Sequence, residues 1–576
     1  MYDVVYFSLA TLLSLLSTQL YHGLYTQPPS TSDSFGCDNL FLDAILIYSE
    51  KLLRLGIGRS TGITDVLPVK FVKGLLTHTL QALPPPMDSI VFRLYHHSQN
   101  NSVMKTQYFP TTIWTSISSL FLSPILLLAF LGRLLPSTAA RSMGLPSSRS
   151  NQIEPRMTSY PLSDRCAATL CLLIMNRCPS SSFNAFRESF CLLHDEKCAD
   201  FITMQHSVMG GHIDYEQIAT AVPALAMETH ILFIYILLQK HPSYLEAIVN
   251  TGSPSLKVIF GTLLTSLYKV NELNSVDMVY VLLIDILLLV QDSRVRTWMS
   301  NETDMQHWNW YKERTLKFAT YTDMAVLCVL RTISHALFFW KDSYILSNCF
   351  AILVDIVASV RNLHVYASER LLEVLVRVSK ALRLPQSQDA AIDALRDTKD
   401  ILISMIAVMI SGDGGLRNVN LLYTMIHDRD QIVDILTGYS LSSHQSRVRL
   451  QNTSSNPAVY LLNLLEEYLQ LLELSIERKN VVDAKAAVAE LIKILEANPC
   501  PNIAVELPMG FTYEEGENSD SFFIPCCWMA VTKKAADLPL EVESISLFEP
   551  SVIGRGDASK NNHELHSQSQ DAENAV

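Results

Sequence analysis

The chain has 576 residues, enough for about four domains or one long repetitive array. Its 20 glycines and 24 prolines fall well short of an average share, which excludes collagen, Pro/Gly-rich disorder and a turn-dense all-β protein. Apolar residues reach 49%, charged residues only 18%, and 44 basic against 57 acidic side chains leave a charge of −13; such a chain has ample core material and lacks the positive footprint of general nucleic-acid binding.

From the N-terminus, Val4 to Leu20 is uncharged and follows Asp3 without a basic flank, which predicts an amphipathic helix rather than a signal peptide. Residues 26–38 and the run Leu83-Pro84-Pro85-Pro86 read as loops. The glycines of Gly56-Ile57-Gly58-Arg59-Ser60-Thr61-Gly62 lack the spacing and strand–helix context of a dinucleotide loop. Lys105 and Arg133 then bracket 27 residues without a charge. Within them 113–131 is long enough to span a bilayer. Residues 101–160 carry five basic side chains against Glu154 alone, the pattern of an element facing a cytosolic membrane surface. Ser, Thr and Pro124 interrupt that stretch, so a buried helix, a surface-bound segment and a true span all stand as readings. Residues 136–165, rich in Ser, Pro and Arg, read as a linker.

Between Pro254 and Pro457 the only proline is Pro385, and glycine is confined to Gly261, the cluster at 412–415 and Gly438. Two hundred residues so poor in breakers predict consecutive helices. Leu371, Leu372, Leu375, Val378 and Leu382 share one helical face. Ser243 and Glu246 have capping-box spacing, and Gly438 stands where a left-handed helix end is expected. The predicted helices are 225–239, 243–250, 255–269, 275–291, 311–338, 343–360, 365–382, 389–411, 419–427, 430–437, 457–479 and 482–497. Several, such as Val279 to Val290, are apolar nearly all round and need neighbours on two or more sides. Stacked helix pairs meet that need, so the fold class expected is all-α, an α-solenoid of the HEAT/armadillo kind. The expected division is an N-terminal helical region over 1–135, the linker over 136–165, the main array with an acidic end over 166–550, and a polar, disordered tail over 551–576.

No catalytic motif is present: the sequence lacks the P-loop, HExxH and GxSxG patterns. Eleven cysteines form no compact framework and fit a reducing compartment. Cys171, Cys178, Cys191 and Cys198 are spaced too widely for a structural zinc site and read as packing residues. His563 and His566 are mis-spaced for two helix-borne ligands, and Cys526-Cys527 read as packing around Trp528. Chance explains the three sequons at Asn100, Asn301 and Asn452 as readily as glycosylation does, and the Arg555-Gly556-Asp557 tripeptide reads as coincidence. The expectation is therefore no catalytic residue, no cofactor and no metal.

One series of blocks carries a resemblance. Trp310-Tyr311-Lys312-Glu313-Arg314 leads into Leu327-Cys328-Val329-Leu330-Arg331-Thr332-Ile333, then Asp342 to Ala351, then Arg361-Asn362-Leu363-His364-Val365-Tyr366-Ala367. Asn420 to Tyr423 with Asp428 to Asp430, and Phe522-Phe523-Ile524-Pro525 with Trp528, extend it. This order resembles the dymeclin family. The resemblance implies a large helical, non-enzymatic scaffold of Golgi organisation and vesicle trafficking. It also implies a cytoplasmic location, peripheral attachment to Golgi membranes and partners in the trafficking machinery. Relatives often open with a Met-Gly suited to myristoylation, whereas this chain opens Met1-Tyr2, so a missing N-terminal portion is expected and 113–156 becomes the candidate membrane contact. The rival reading is an integral membrane protein with a span near 113–131. Arg331, Asn348 and His364, polar among apolar neighbours, are expected to be hydrogen-bonded members of the core.

Overall fold

The computed structural model describes residues 1–17, 40–57, 67–94, 160–176, 183–195, 212–250, 254–273, 276, 278–303, 308–357, 359–383, 389–443, 456–479, 483–505, 507, 512–516, 519–532 and 538. The apolar run at 113–131, the basic stretch to 156, the loop at 26–38 and the tail from 551 all lie outside them. Among the described residues the protein is all-α, with one two-residue parallel pairing of β1 (His194–Asp195) and β2 (His212–Ile213).

The chain divides into two compact units. The first comprises Met1–Ile45, Pro85–Met157 and Asp520–Val576, the second Leu46–Pro84 and Thr158–Ser519. Segments far apart in sequence share a unit. In the first, helix α1 (Tyr2–Leu16) buries Tyr6, Phe7, Leu9, Ala10, Leu13 and Leu16. The Asp3 carboxylate accepts from the amides of Ile90 (3.0 Å) and Val91 (3.4 Å), serving the open start of a helical turn at 90–94. Residues 520–532 also form a helix here, which is not among the helices predicted above. Its interior Pro525 forgoes a backbone bond, but Phe523, Ile524, Cys526, Cys527 and Trp528 are buried, and that burial outweighs the break.

In the second unit the helices are α2 (Leu40–Ile57, from residue 46), α3 (Leu67–Gln81), α4 (Pro161–Met175), α5 (Ala185–Cys191), α6 (Tyr215–Ala221), α7 (Met227–Lys240), α8 (Pro242–Asn250), α9 (Pro254–Leu273) and α10 (Val279–Val290). There follow α11 (Ser293–Asn301), α12 (Tyr321–His335), α13 (Ser343–Val357), α14 (Val365–Leu382), α15 (Asp389–Ile410), α16 (Gly414–Arg417), α17 (Val419–His427), α18 (Arg429–Ser443), α19 (Pro457–Lys479) and α20 (Ala484–Ala497). They pack in two rows. In one, α4, α7, α10, α13, α15 and α19 each lie against the next; in the other, α3, α6, α9, α12, α14, α17 and α20 do the same. Cross-row pairs such as α3 with α4, α9 with α10, α12 with α13 and α14 with α15 tie them together.

The burial explains the composition. All 15 residues of α4 and 10 of the 12 of α10 are buried, whereas exposed positions dominate α18 over 429–438. α10, between α7 and α13 in its row and backed by α9 across it, has no polar face to keep, and α4, at the end of the row, is closed off by α3, α5 and α7. Tyr321–Trp340 is, among the described residues, the one helical stretch long and apolar enough to cross a membrane, and 67% of its 18-residue apolar window is buried inside the protein.

Several local expectations are corrected. The helix expected over 311–338 starts at Tyr321, because Thr320 and Asp323 form the capping box there: the Asp323 amide donates to Thr320 Oγ1 at 3.1 Å and the Thr320 amide to Asp323 Oδ2 at 2.7 Å. The Ser243/Glu246 capping box does not form. Ser243 Oγ instead meets Tyr215 Oη (3.0 Å) and His241 Nδ1 (3.1 Å), and Glu246 turns to Arg294 (2.9 Å). Gly438 ends nothing, since α18 runs on to Ser443. Helix α4 begins at Pro161, inside the stretch read as a linker. Its polar start is served in the interior, Ser163 Oγ donating to the His78 carbonyl (2.9 Å) and Asp164 accepting from the Ala226 amide (2.8 Å).

Asp285, midway along α10, is fully buried, and neither carboxylate oxygen has a hydrogen-bond partner among the described residues. Burial pushes its carboxyl well above the ordinary value of 3.8, so the folded protein holds it as the neutral acid. Unfolding then releases a proton at any pH between the two values, and stability falls as pH rises from 3.8 toward the folded value. Leucine has the shape of aspartate without its desolvation penalty. Asp285→Leu is therefore expected to raise unfolding stability by about 1–3 kcal/mol near neutral pH. The gain shrinks as pH approaches 3.8, measured by urea denaturation across a pH series. A variant less stable than the parent near neutrality would refute this account of Asp285.

Candidate interaction site around Glu313

The ten residues between the Trp308–Trp310 turn and α12 form a non-helical segment. Its first anchor is aromatic. Tyr268 of α9 lies with its ring centroid 5.4 Å from Trp310 and 5.3 Å from Tyr311, and its hydroxyl accepts from the Lys312 amide at 3.3 Å. Its last anchor is the Thr320–Asp323 box, reinforced by a Thr303–Thr320 bridge and a Trp308 Nε1 donation to the Ala319 carbonyl (3.3 Å). Buried Asp323 also accepts from the His364 amide (2.8 Å), and His364 Nδ1 accepts from the Tyr366 amide (3.1 Å), capping α14. One carboxylate thus starts two neighbouring helices.

Between the anchors, Glu313 receives donors from three elements. Arg331 of α12 pairs with Oε1; Arg370 of α14 (2.5 Å), Tyr311 (3.0 Å) and Tyr366 (3.1 Å) donate to Oε2. Burial alone would raise this carboxyl, but Arg370, Tyr311 and Arg331 outweigh it and hold the group below its ordinary value. Burial pushes the Tyr311 and Tyr366 phenols up. The Arg331 guanidinium also covers the Tyr268 ring at 4.5 Å. Glu313 is therefore an ionised acceptor engaged on both oxygens, suited to positioning rather than to proton transfer.

Around this centre the surface is aromatic and charged in balanced pairs. Arg314 pairs with Glu369 (3.0 Å) and covers Tyr366 at 5.1 Å, while Lys312 reaches Glu272 (3.1 Å). Phe318 is 69% exposed and sits in the left-handed region at φ 62°, where the turn forces its ring outward. Arginine and aromatic side chains at a rigid, partly desolvated surface are the chemistry of protein-binding hot spots.

Of the three polar residues singled out from sequence, the structure brings Arg331 and His364 to this region, partly exposed rather than buried. Asn348 lies apart in α13, fully buried, donating to the Tyr344 carbonyl at 2.9 Å. Cys171 is buried, Cys191 Sγ meets the Lys240 carbonyl at 2.9 Å, and Cys178 and Cys198 fall outside the described residues, as do the sequons at 100 and 452, the glycines at 58–62, the tripeptide at 555–557 and His563 with His566. Among the described residues no cluster of His, Cys, Asp and Glu could hold a metal. Glu313 itself was missed. Its signal was the crowding of alternating charges at 312–314 beside three aromatics, which one helix face cannot satisfy.

The blocks that build this site belong to a match that runs through nearly the whole chain. The model of the family described as "Dymeclin: Dyggve-Melchior-Clausen syndrome protein" matches residues 3–530. The chain belongs to the Dymeclin family. It is similar to Dymeclin of Mus musculus, 28% identical over 305 residues covering 50% of this chain and 43% of that protein. It is 29% identical to Dymeclin of Rattus norvegicus over 305 residues, covering 50% and 42%. Dymeclin of Drosophila pseudoobscura pseudoobscura is 25% identical over 496 residues, covering 80% and 67%. The chain thus spans less than half the length of the two mammalian relatives it matches. No solved structure matches it.

Glu313→Gln keeps the shape but leaves two guanidinium groups without their counter-charge. The variant is expected to lose about 2 kcal/mol of unfolding stability near neutral pH. A group held below its ordinary value contributes fully above 4.5 and less as pH falls through its folded value, so parent and variant converge in acid. Urea denaturation along a pH series checks both statements, and a variant within about 0.5 kcal/mol of the parent at neutrality would count against the clamp.

Proposed function

We propose that this chain is a non-enzymatic α-solenoid of the HEAT/armadillo type, a scaffold for Golgi organisation and vesicle trafficking attached peripherally to the cytosolic face of Golgi membranes. The observation that carries the reading is the two-row packing of helices in a chain of this family. Row-on-row stacking leaves long outer faces, and extended faces of that kind bind other proteins. The Glu313 site supports binding over catalysis: its carboxylate is ionised and fully engaged, its arginines are paired, and none of its groups is poised to attack or to move a proton. Its partners are trafficking proteins, and the membrane contact is the apolar and basic region over 113–156.

Expressed as a tagged full chain in cultured cells, the protein is expected to co-sediment with Golgi membranes and to be released by high-pH carbonate. Deletion of 113–156 is expected to abolish membrane flotation while leaving the chain folded by circular dichroism. Retention in the carbonate pellet would favour the integral-membrane alternative with a span near 113–131. Absence from Golgi fractions, or undiminished flotation of the deletion, would overturn the reading.

A further inference from the structure

Residues 512–516, between α20 and the helix at 520–532, carry no regular structure but alternate in exposure. Thr512, Glu514 and Gly516 face out, while Tyr513 and Glu515 are half-buried. Both inward side chains land on α7. The Tyr513 hydroxyl meets that of Tyr235 at 3.0 Å, with the rings edge-on at 6.3 Å. Two residues on, the Glu515 carboxylate pairs with Lys240 at the C-terminal end of α7, in a contact whose side chains are only 16% and 10% exposed. Aromatic surface continues beyond it: Tyr344 of α13 is 53% exposed and 5.7 Å from Tyr280 of α10, whose hydroxyl donates to Asp342.

The receiving surface therefore offers a slot for a ring and, one dipeptide further, a shielded cation. An extended chain presents alternate side chains to one side, so this spacing reads aromatic-x-acidic. Complementarity of charge goes with it. From 494 to 532 the chain has no Lys or Arg and carries six acidic residues, and the cation they meet belongs to α7.

We propose that the surface formed by Tyr235 and Lys240 is a docking site for an extended acidic peptide of aromatic-x-acidic pattern on a partner protein, with Tyr513-Glu514-Glu515 as its tethered occupant. The tether holds its ligand at an effective concentration of order millimolar, so a free peptide of moderate affinity is excluded until the strap lifts. A partner that presents the same pattern in several copies, or at high local concentration on a membrane, displaces it. The site takes a peptide rather than a lipid headgroup, because the cation it presents, Lys240, is shielded.

A fluorescein-labelled synthetic peptide of residues 507–519 tests this by anisotropy against the full chain. The Tyr513→Ala/Glu515→Ala variant is expected to bind it at least about tenfold more tightly than the parent. Adding Lys240→Ala, or replacing the peptide's Tyr and second Glu by alanine, is expected to return binding to the parent's level. Equal binding by parent and opened variant, or binding indifferent to the peptide's Tyr and Glu, would overturn the proposal. Should the double variant fail to fold by circular dichroism, Glu515→Gln alone carries the same comparison. The inference rests on the scaffold reading only in requiring a partner: a chain that binds the peptide but never reaches the Golgi retains this site and loses that location.

Discussion

Helices that are apolar around most of their circumference have to be enclosed, and in the second unit this requirement organises everything else. α4, α7, α10 and α12 have few polar positions to turn toward water, so each must be enclosed by neighbouring helices on several sides. A fully buried Leu, Ile, Val or Phe contributes about 1.5–3 kcal/mol relative to exposure. Dozens of such residues in adjoining helices make the two rows mutually dependent: removing one helix would strip a face from each of its neighbours. The same enclosure leaves polar chemistry to the edges of the rows, to the segments between helices and to rare interior positions.

Two carboxylates show what that enclosure does to a charge. Glu313 sits at the edge, where a non-helical segment meets α12 and α14, and collects two guanidinium groups and two phenols, which hold it ionised. Asp285 sits inside α10 with no donor among the described residues and is held neutral. The first stabilises by joining three elements at one point; the second is an interior cost that α10 tolerates because its remaining contacts are apolar and numerous. Glu313 and the Glu515 strap also share a logic. In both, a segment without helical hydrogen bonds is fixed by a few side chains to helices that are themselves fully supported.

Much of this was legible in the residues. The scarcity of Pro and Gly between Pro254 and Pro457 anticipates consecutive helices, and the face formed by Leu371, Leu372, Leu375 and Val378 lies on α14, whose ends match the predicted 365–382. What was not legible depends on partners distant in sequence. The crowded charges at 312–314 do not sit well on one helix face, but nothing within 311–320 names α12 and α14 as the elements that claim Glu313, so the segment reads as part of a helix that does not form there. Ser243 and Glu246 have the right spacing for a cap, but Tyr215 and Arg294, on other helices, bind them instead. The helix at 520–532 was hidden by Pro525, and the strap at 513–515 by its lack of any periodic signal beyond two residues. The candidate membrane contact at 113–156 falls outside the described residues.

The central claim is that helices enclosed on several sides carry the second unit and that the outer elements ride on them. Hydrogen–deuterium exchange of the full chain, read by mass spectrometry in native buffer, tests it directly. Amides of α10 and α13 are expected to exchange only through global unfolding, as the slowest in the unit, while those of the largely exposed α18 exchange by local opening. Exchange of α10 as fast as that of α18 would contradict the account.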